Sequence, residues 1–418
     1  MTETKYSGIA SIGEIPAHWR TYRIKSLLSL RSEKNSGDRD LLSVYLDRGV
    51  ISYNDSDGMQ VHKPSADLSN YQNVHVGDFV LNNQQAWRGS VGVSKYDGII
   101  SPAYFVFSLS DKCDPGYMSF LLRDGSMVQQ YETASRGVGT IQRNLYALWF
   151  YESLVALPPK DEQKTIAAFL SAKCAEIDAL TADIQTQINT LEQYKRSVIT
   201  ETVTKGLNPN SEMKDSGVFY MAPMNATWRL TKIGYICSKL SRSFAPEDTA
   251  LICSNKGKVQ VRADDLTGIM ISDDNAMQGI RSGDIAIHGM DTWHGAIALS
   301  ECDGKITRVV HVCDSTEDKR FVVYYMQHLA FQGVYKLISN GVRGNTSDFR
   351  SWDKVRDIWI AIPETKEEQA AICDYLDSQC TAVEEVIATK KEQLEVLGEY
   401  KKSLIFEYVT GKKEVPVS

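Results

Sequence analysis

The sequence predicts an α+β protein in which two repeated globular domains of mixed helix and strand are joined by two long helices. The helices should pair as an antiparallel coiled coil with internal pseudo-twofold symmetry. Three observations predict this. The second half of the chain repeats the first at an offset of 206 residues, each copy ends in a long amphipathic tract, and the part before each tract alternates β-branched or aromatic runs with turn signals. The chain has 418 residues, which is long for one domain, and its 43% hydrophobic and 24% charged residues are ordinary values for a folded protein.

The repeat is plainest at the ends of the tracts, where YKRSVITETVT from Tyr194 to Thr204 faces YKKSLIFEYVT from Tyr400 to Thr410. The same offset relates Gln163 to Gln369, Gly77-Asp78 to Gly283-Asp284, and Trp87-x-Gly89 to Trp293-x-Gly295. Near the start of each copy the register slips, and Trp19-Arg20 matches Trp228-Arg229. The predicted organisation is a first globe over 1–157, a central long helix over 158–206, a second globe over 207–362, a distal long helix over 363–411 and a tail over 412–418.

The first globe should contain strands in VHVGDFVLN and IISPAYFVFSL and a short helix from Tyr117 to Glu132; the second, strands in GDIAIHG and ITRVVHVCD and a helix from Arg320 to Ser339. In the first tract Ile166, Leu170, Ile177, Leu180, Ile184, Ile188, Leu191, Tyr194 and Val198 form an apolar stripe with one gap of seven. Val383, Val386, Leu394, Leu397, Tyr400 and Leu404 repeat it, with Lys390 marking one polar layer. Pro158-Pro159 and Pro363 open the helices, Thr365-x-x-Glu368 has capping-box spacing, and Gly206 and Gly411 close them. The tract from Asp161 to Val203 would make a rod of about 65 Å at about 1.5 Å per residue. A second helix running back along it puts the globes at opposite ends.

No run approaches the length of a membrane span, and the N-terminus lacks the basic flank and apolar core of a leader, so a cytoplasmic location is expected. The eight cysteines include no C-x-x-C pair and no histidines at metal spacing, so neither zinc nor disulfides are expected. No phosphate-cradling, zincin or nucleophile-elbow motif occurs, and Asn208-Pro209-Asn210 stops short of an Asn-Pro-Pro-aromatic sequence.

This order of parts resembles the specificity subunit of type I restriction-modification systems over nearly the whole chain. The motif that carries it best is L-P-P-x-x-E-Q-x-x-I-A ahead of a long helix, present from Leu157 to Ala167 and more loosely from Ile362 to Ile372. Ile15-Pro16-x-x-Trp19 opens the first globe in the same way, and Met224-x-x-x-Trp228 opens the second without the proline. The resemblance implies two target-recognition domains, each reading one half of a bipartite site on double-stranded DNA. It implies helices that set the spacer and dock methyltransferase subunits, with restriction motor subunits outside them. It also implies that the chain performs no chemistry and binds no cofactor, S-adenosylmethionine, ATP and magnesium belonging to the partner subunits.

Charge bears on this reading. The total is −7, and by segment it is −1 for 1–157, −1 for 158–206, 0 for 207–362 and −5 for 363–418. A stand-alone DNA binder normally carries a basic excess to displace phosphate counterions, whereas near-neutral globes suit a reader of base edges whose partners hold the backbone. The alternative is a non-enzymatic protein-binding scaffold or a stand-alone DNA-binding regulator.

Base-edge readers are sought among Arg, Gln and Asn in loops. In the first globe the candidates are Asn82, Asn83, Gln84, Gln85 and Arg88 around Trp87, then Arg136, Thr140, Gln142 and Arg143. In the second they are His288, Asp291, Thr292 and His294 around Trp293, then Asn340, Arg343, Asn345, Thr346 and Arg350. The two tryptophans recur in globes that should read different half-sites, so they read as packing residues, and the flanking residues that differ are the better specificity candidates. The charges expected on the outer helix faces, Lys173, Glu176, Asp183, Lys195, Arg196, Glu384, Glu385, Lys391, Glu392, Lys401 and Lys402, are assigned to solvent or to a methyltransferase surface.

Overall fold

A computed structural model describes residues 3–35, 37–46, 48–55, 64–65, 67–138, 142–262, 276–339 and 348–416. It divides into two units, one of 1–184 with 392–418 and one of 185–391.

The first unit is built on a four-stranded antiparallel sheet in the order Leu28–Leu30, Tyr104–Leu109, Phe79–Asn82, Val91–Val93. The strands carry the expected pattern, with Phe79, Val80, Leu81, Val106 and Phe107 fully buried. Pro115–Leu121 and Gly125–Thr133 pack against it as two helices rather than the single one expected. The break is at Asp124, whose side chain accepts from Ser126 N and starts a second helix. A strand at Arg20–Arg23 pairs with Leu154–Leu157 in the register Arg20↔Leu157, so the start of the globe is tied to the residues that enter the long helix.

The second unit repeats this order: Cys237–Lys239, Val310–Ser315, Ile285–His288, Ile297–Leu299 in the sheet, and Arg229–Lys232 paired with Trp359–Ile362. Its helix is again split, into Lys319–Phe331 and Val334–Ile338, because Gly333 turns with φ of 71°. Tyr131 donates to Leu122 O at 2.8 Å and Tyr335 to Met326 O at 2.9 Å, the same buried brace across the split helices of each unit.

The long helices are Lys160–Lys205 and Lys366–Val409. Within the first unit they pair antiparallel: Phe169 meets Tyr408, and Lys401 reaches Asp178 at 2.6 Å. Within the second, Lys195 meets Glu384 and Lys390 meets Gln187, so the layer at Lys390 is polar as its sequence indicated. Lys195, Glu384 and Lys401, expected on outer faces, therefore bridge the helices. The buried stripe also differs from expectation. Leu180, Tyr194, Val386 and Tyr400 are 46% exposed or more, and Cys174, at 7%, fills the gap between Leu170 and Ile177. A two-helix pair buries only a narrow seam, so the flanking apolar position of each turn stays in solvent.

The helix ends use the residues that flank them. Gly206 and Gly411 adopt φ of 84° and 71°, the left-handed turn that ends a helix without a Cβ clash. Thr365 Oγ1 accepts from Glu368 N at 3.3 Å, but only half of the capping box forms, because Glu368 Oε1 accepts from the Trp228 indole instead.

Candidate nucleic-acid interface

In the first unit the two candidate clusters meet at a β-ribbon, Ser135–Val138 paired with Gln142–Leu145. The register opposes Ser135 to Leu145, Arg136 to Asn144 and Gly137 to Arg143. Side chains alternate along a strand, so the ribbon has two chemically distinct faces. Ser135 and Leu145 are buried, and Arg143 on that same face turns toward the globe, pairing with Glu132 at 2.8 Å and lying 4.8 Å over the Trp87 ring. Arg136 and Asn144 occupy the other face and are exposed. Arg136 lies 4.1 Å over the ring of Trp149, which is 41% exposed and in turn 5.3 Å from Tyr146.

The loop carrying Trp87 is fixed to the base of the ribbon, since Leu145 N donates to both the carbonyl and the side-chain oxygen of Asn83. Asn82 Oδ1 accepts from Gln84 N, and Trp87 Nε1 donates to Gln84 O, so Asn82 and Trp87 shape the turn. Gln84 and Arg88 are exposed, Gln85 is half-buried, and Arg88 lies 5.7 Å over the Trp87 ring. Thr140 lies outside the described residues; Gln142 is placed in the ribbon by its backbone alone.

In the second unit the corresponding segments also converge. Phe349 N donates to Gly289 O at 3.0 Å, and the buried His311 donates through Nε2 to Phe349 O at 2.7 Å, which sets Arg350 beside the loop of 288–294. Burial holds the His311 imidazole below its usual pKa, consistent with a neutral ring. His288 Nδ1 accepts from the backbone of Met290 and Asp291, and burial lowers its pKa too, so it shapes the turn rather than facing solvent. Thr292 is 1% exposed, which removes it from any surface, whereas His294 is exposed and Asp291 half-exposed. Trp293 packs against the core of its unit with Lys336 over its ring at 5.8 Å, as a packing residue should. Asn340, Arg343, Asn345 and Thr346 lie outside the described residues. An open cleft of about 710 Å³ in this unit is lined by Lys239, Arg242 and Arg308, although Arg242 is engaged by the buried Asp284 at 2.7 Å.

Asn144, Tyr146 and Trp149 were not singled out by the sequence. Only the strand register shows that Asn144 stands opposite Arg136. All eight cysteines carry free thiols, seven of them buried, and burial pushes the Cys253 thiol up to about 12. Among the described residues no cluster could hold a metal ion, and no helix is long and apolar enough to cross a membrane.

Residues 16–190 match the family model described as the type I restriction modification DNA specificity domain. Over 97% of its length the chain is 22% identical to a Methanocaldococcus jannaschii protein described as the MjaX type I restriction enzyme specificity subunit, 96% of which is covered. A solved chain from work on complex assembly and conformational transition of the type I R-M system has a similar fold, with a TM-score of 0.68 at 16% identity over 96% of this chain and 99% of that one. The HsdS subunit from Thermoanaerobacter tengcongensis aligns with a TM-score of 0.46 at 16% identity, covering 96% of this chain and 98% of that one. With the helix-opening motif present in both copies and the same frame in both units, the chain is similar over nearly its whole length to type I restriction-modification specificity subunits, and its residues 16–190 match the model of their DNA specificity domain.

Proposed function

We propose that this chain is the DNA-recognition subunit of a type I restriction-modification complex, in which each globe reads one half of a bipartite duplex site. The observation that carries the reading is the repetition of one frame under two different surfaces. The sheets recur, as do the indole bonds of Trp19 to Glu162 and of Trp228 to Glu368 and the backbone bonds accepted by Gln163 and Gln369 at the helix entries, while the ribbon and loops of the first globe share little chemistry with those of the second. A protein that must recognise two unlike half-sites needs this division between a constant scaffold and variable contact residues.

In this reading the chain is non-catalytic. Methyltransferase subunits dock along the long helices, which also set the spacer, and restriction subunits join through them. S-adenosylmethionine, ATP and magnesium are bound by those partners, and the complex works in the cytoplasm. Val396 and Tyr400, 68% and 55% exposed beside the helix seam of the first unit, suit a protein contact along the helices. The base-contact candidates are those on the surface: Gln84, Gln85, Arg88 and Arg136 in the first globe, and Asp291, His294 and Arg350 in the second. The near-neutral globes favour a division of labour in which partners supply phosphate contacts.

The test is DNA binding measured by fluorescence anisotropy with the chain alone and with its methyltransferase partner at 150 mM salt. Weak binding alone and sequence-selective binding in the complex support the reading; tight, selective binding by the isolated chain contradicts it.

A further inference from the structure

The outward face of the first globe's ribbon carries a more specific assignment, which rests on the DNA-recognition reading above. We propose that Arg136 and Asn144 read a guanine and a neighbouring adenine in the major groove, with Trp149 as the residue that positions Arg136. A two-stranded ribbon fits the major groove, where Arg pairs bidentately with guanine O6 and N7, and Asn with adenine N6 and N7. The register places these two side chains directly opposite each other on the solvent face.

Among the described residues Arg136 makes no hydrogen bond or ion pair, and Asn144 makes no side-chain hydrogen bond. Arg143, by contrast, is bound to Glu132 and packed on Trp87, so it braces the ribbon from the inner face. An arginine with a long flexible stem loses conformational freedom when it binds; stacking 4.1 Å over Trp149 restricts it before DNA arrives.

The comparison between the units separates this platform from the fold. The short helix Ala147–Tyr151 precedes the closing strand of the first globe as Trp352–Arg356 precedes that of the second. Their buried residues correspond, Phe150 and Val355 both being 0% exposed. Tyr146, Leu148 and Trp149, which are 51%, 79% and 41% exposed, have Ser351, Asp353 and Lys354 at the equivalent positions. The fold requires the buried position only. The aromatic platform is peculiar to the first globe, as a half-site reader should be.

The experiment is a methylation assay of the assembled complex on a library of duplexes randomised through both half-sites, with thermal unfolding of each variant as a control. Arg136→Ala should lower methylation of the cognate site roughly 10- to 100-fold and abolish the preference for guanine at one position of one half-site. Asn144→Ala should relax the preference for adenine beside it. Trp149→Ala should lower selectivity at the same guanine, and Trp149→Phe should restore part of it. Arg136→Lys should stay impaired because it cannot form the two-pronged contact. A uniform loss across all sequences, loss of complex assembly, or unchanged selectivity in Arg136→Ala and Asn144→Ala would each overturn the assignment. If the wild-type complex itself selects no sequence, the broader DNA-recognition reading fails instead.

Discussion

The indole of Trp19 donates to Glu162 Oε1 at 3.0 Å, and Trp228 makes the same bond to Glu368 at 2.9 Å. In each unit a tryptophan that is 1% exposed, near the start of a globe, is thereby fastened to the first turn of the helix that leaves it. The helix-closing glycine joins this clasp: Gly411 lies against Pro16 and Trp19, and Gly206 lies against Trp228. Three sequence motifs converge on one point in each unit, and in each the tryptophan and the glutamate lie 140 residues or more apart in the chain.

The two glycines should differ in tolerance. Both have positive φ, so an alanine is strained by about 1–2 kcal/mol at either. At Gly411 a Cβ would also fall 2.4 Å from Pro16 Cδ, whereas at Gly206 the nearest atom is 3.4 Å away. Gly411→Ala is therefore expected to cost at least about 1 kcal/mol more than Gly206→Ala, because overpacking adds to the strain. Thermal unfolding of the two variants checks the order.

Gln163, 1% exposed, accepts from Asp114 N and donates to the carbonyls of Lys112 and Pro158. Removing it strands buried backbone groups, so Gln163→Ala should cost about 2–4 kcal/mol. Gln163→Glu turns a carboxylate toward two carbonyl oxygens. It can donate only when protonated, so its destabilisation relative to wild type should shrink as pH falls from 7 toward 5. Denaturant titrations at both pH values test this.

His328 is 4% exposed and shares a hydrogen bond of 3.1 Å with the Thr200 hydroxyl of the first long helix. Burial lowers its pKa to about 4, below the value of an exposed histidine. The unfolded chain then binds a proton that the folded one does not, so stability falls as pH drops from about 6.5 to about 4 and is whole above that window. The loss is on the order of 3 kcal/mol. His328→Gln should flatten this part of the pH–stability curve; an unchanged slope would show that the ring is protonated in the folded state.

The clasp explains what the sequence made legible. Periodicity and the repeat give the helices and globes directly, because amphipathic spacing is local and the second copy confirms each mark. Gly77-Asp78 and Gly283-Asp284 read as turns, and the glycines do adopt positive φ. That each aspartate is also buried against an arginine, Asp78 with Arg31 and Asp284 with Arg242, was hidden because the partners lie more than forty residues away. The candidate interface was legible as two clusters per globe. Their meeting, and the opposite facing of Arg136 and Arg143, depend on strand register, which a single residue of slip would invert.

The central claim is that two separate globes read two separate half-sites, and exchange of residues 1–157 for those of another family member tests it most directly. The assembled complex carrying the exchanged chain is expressed in cells and its methylated sites are mapped by sequencing. One half of the recognised site should be replaced while the other half stays unchanged. A change in both halves, or in neither, would contradict the account.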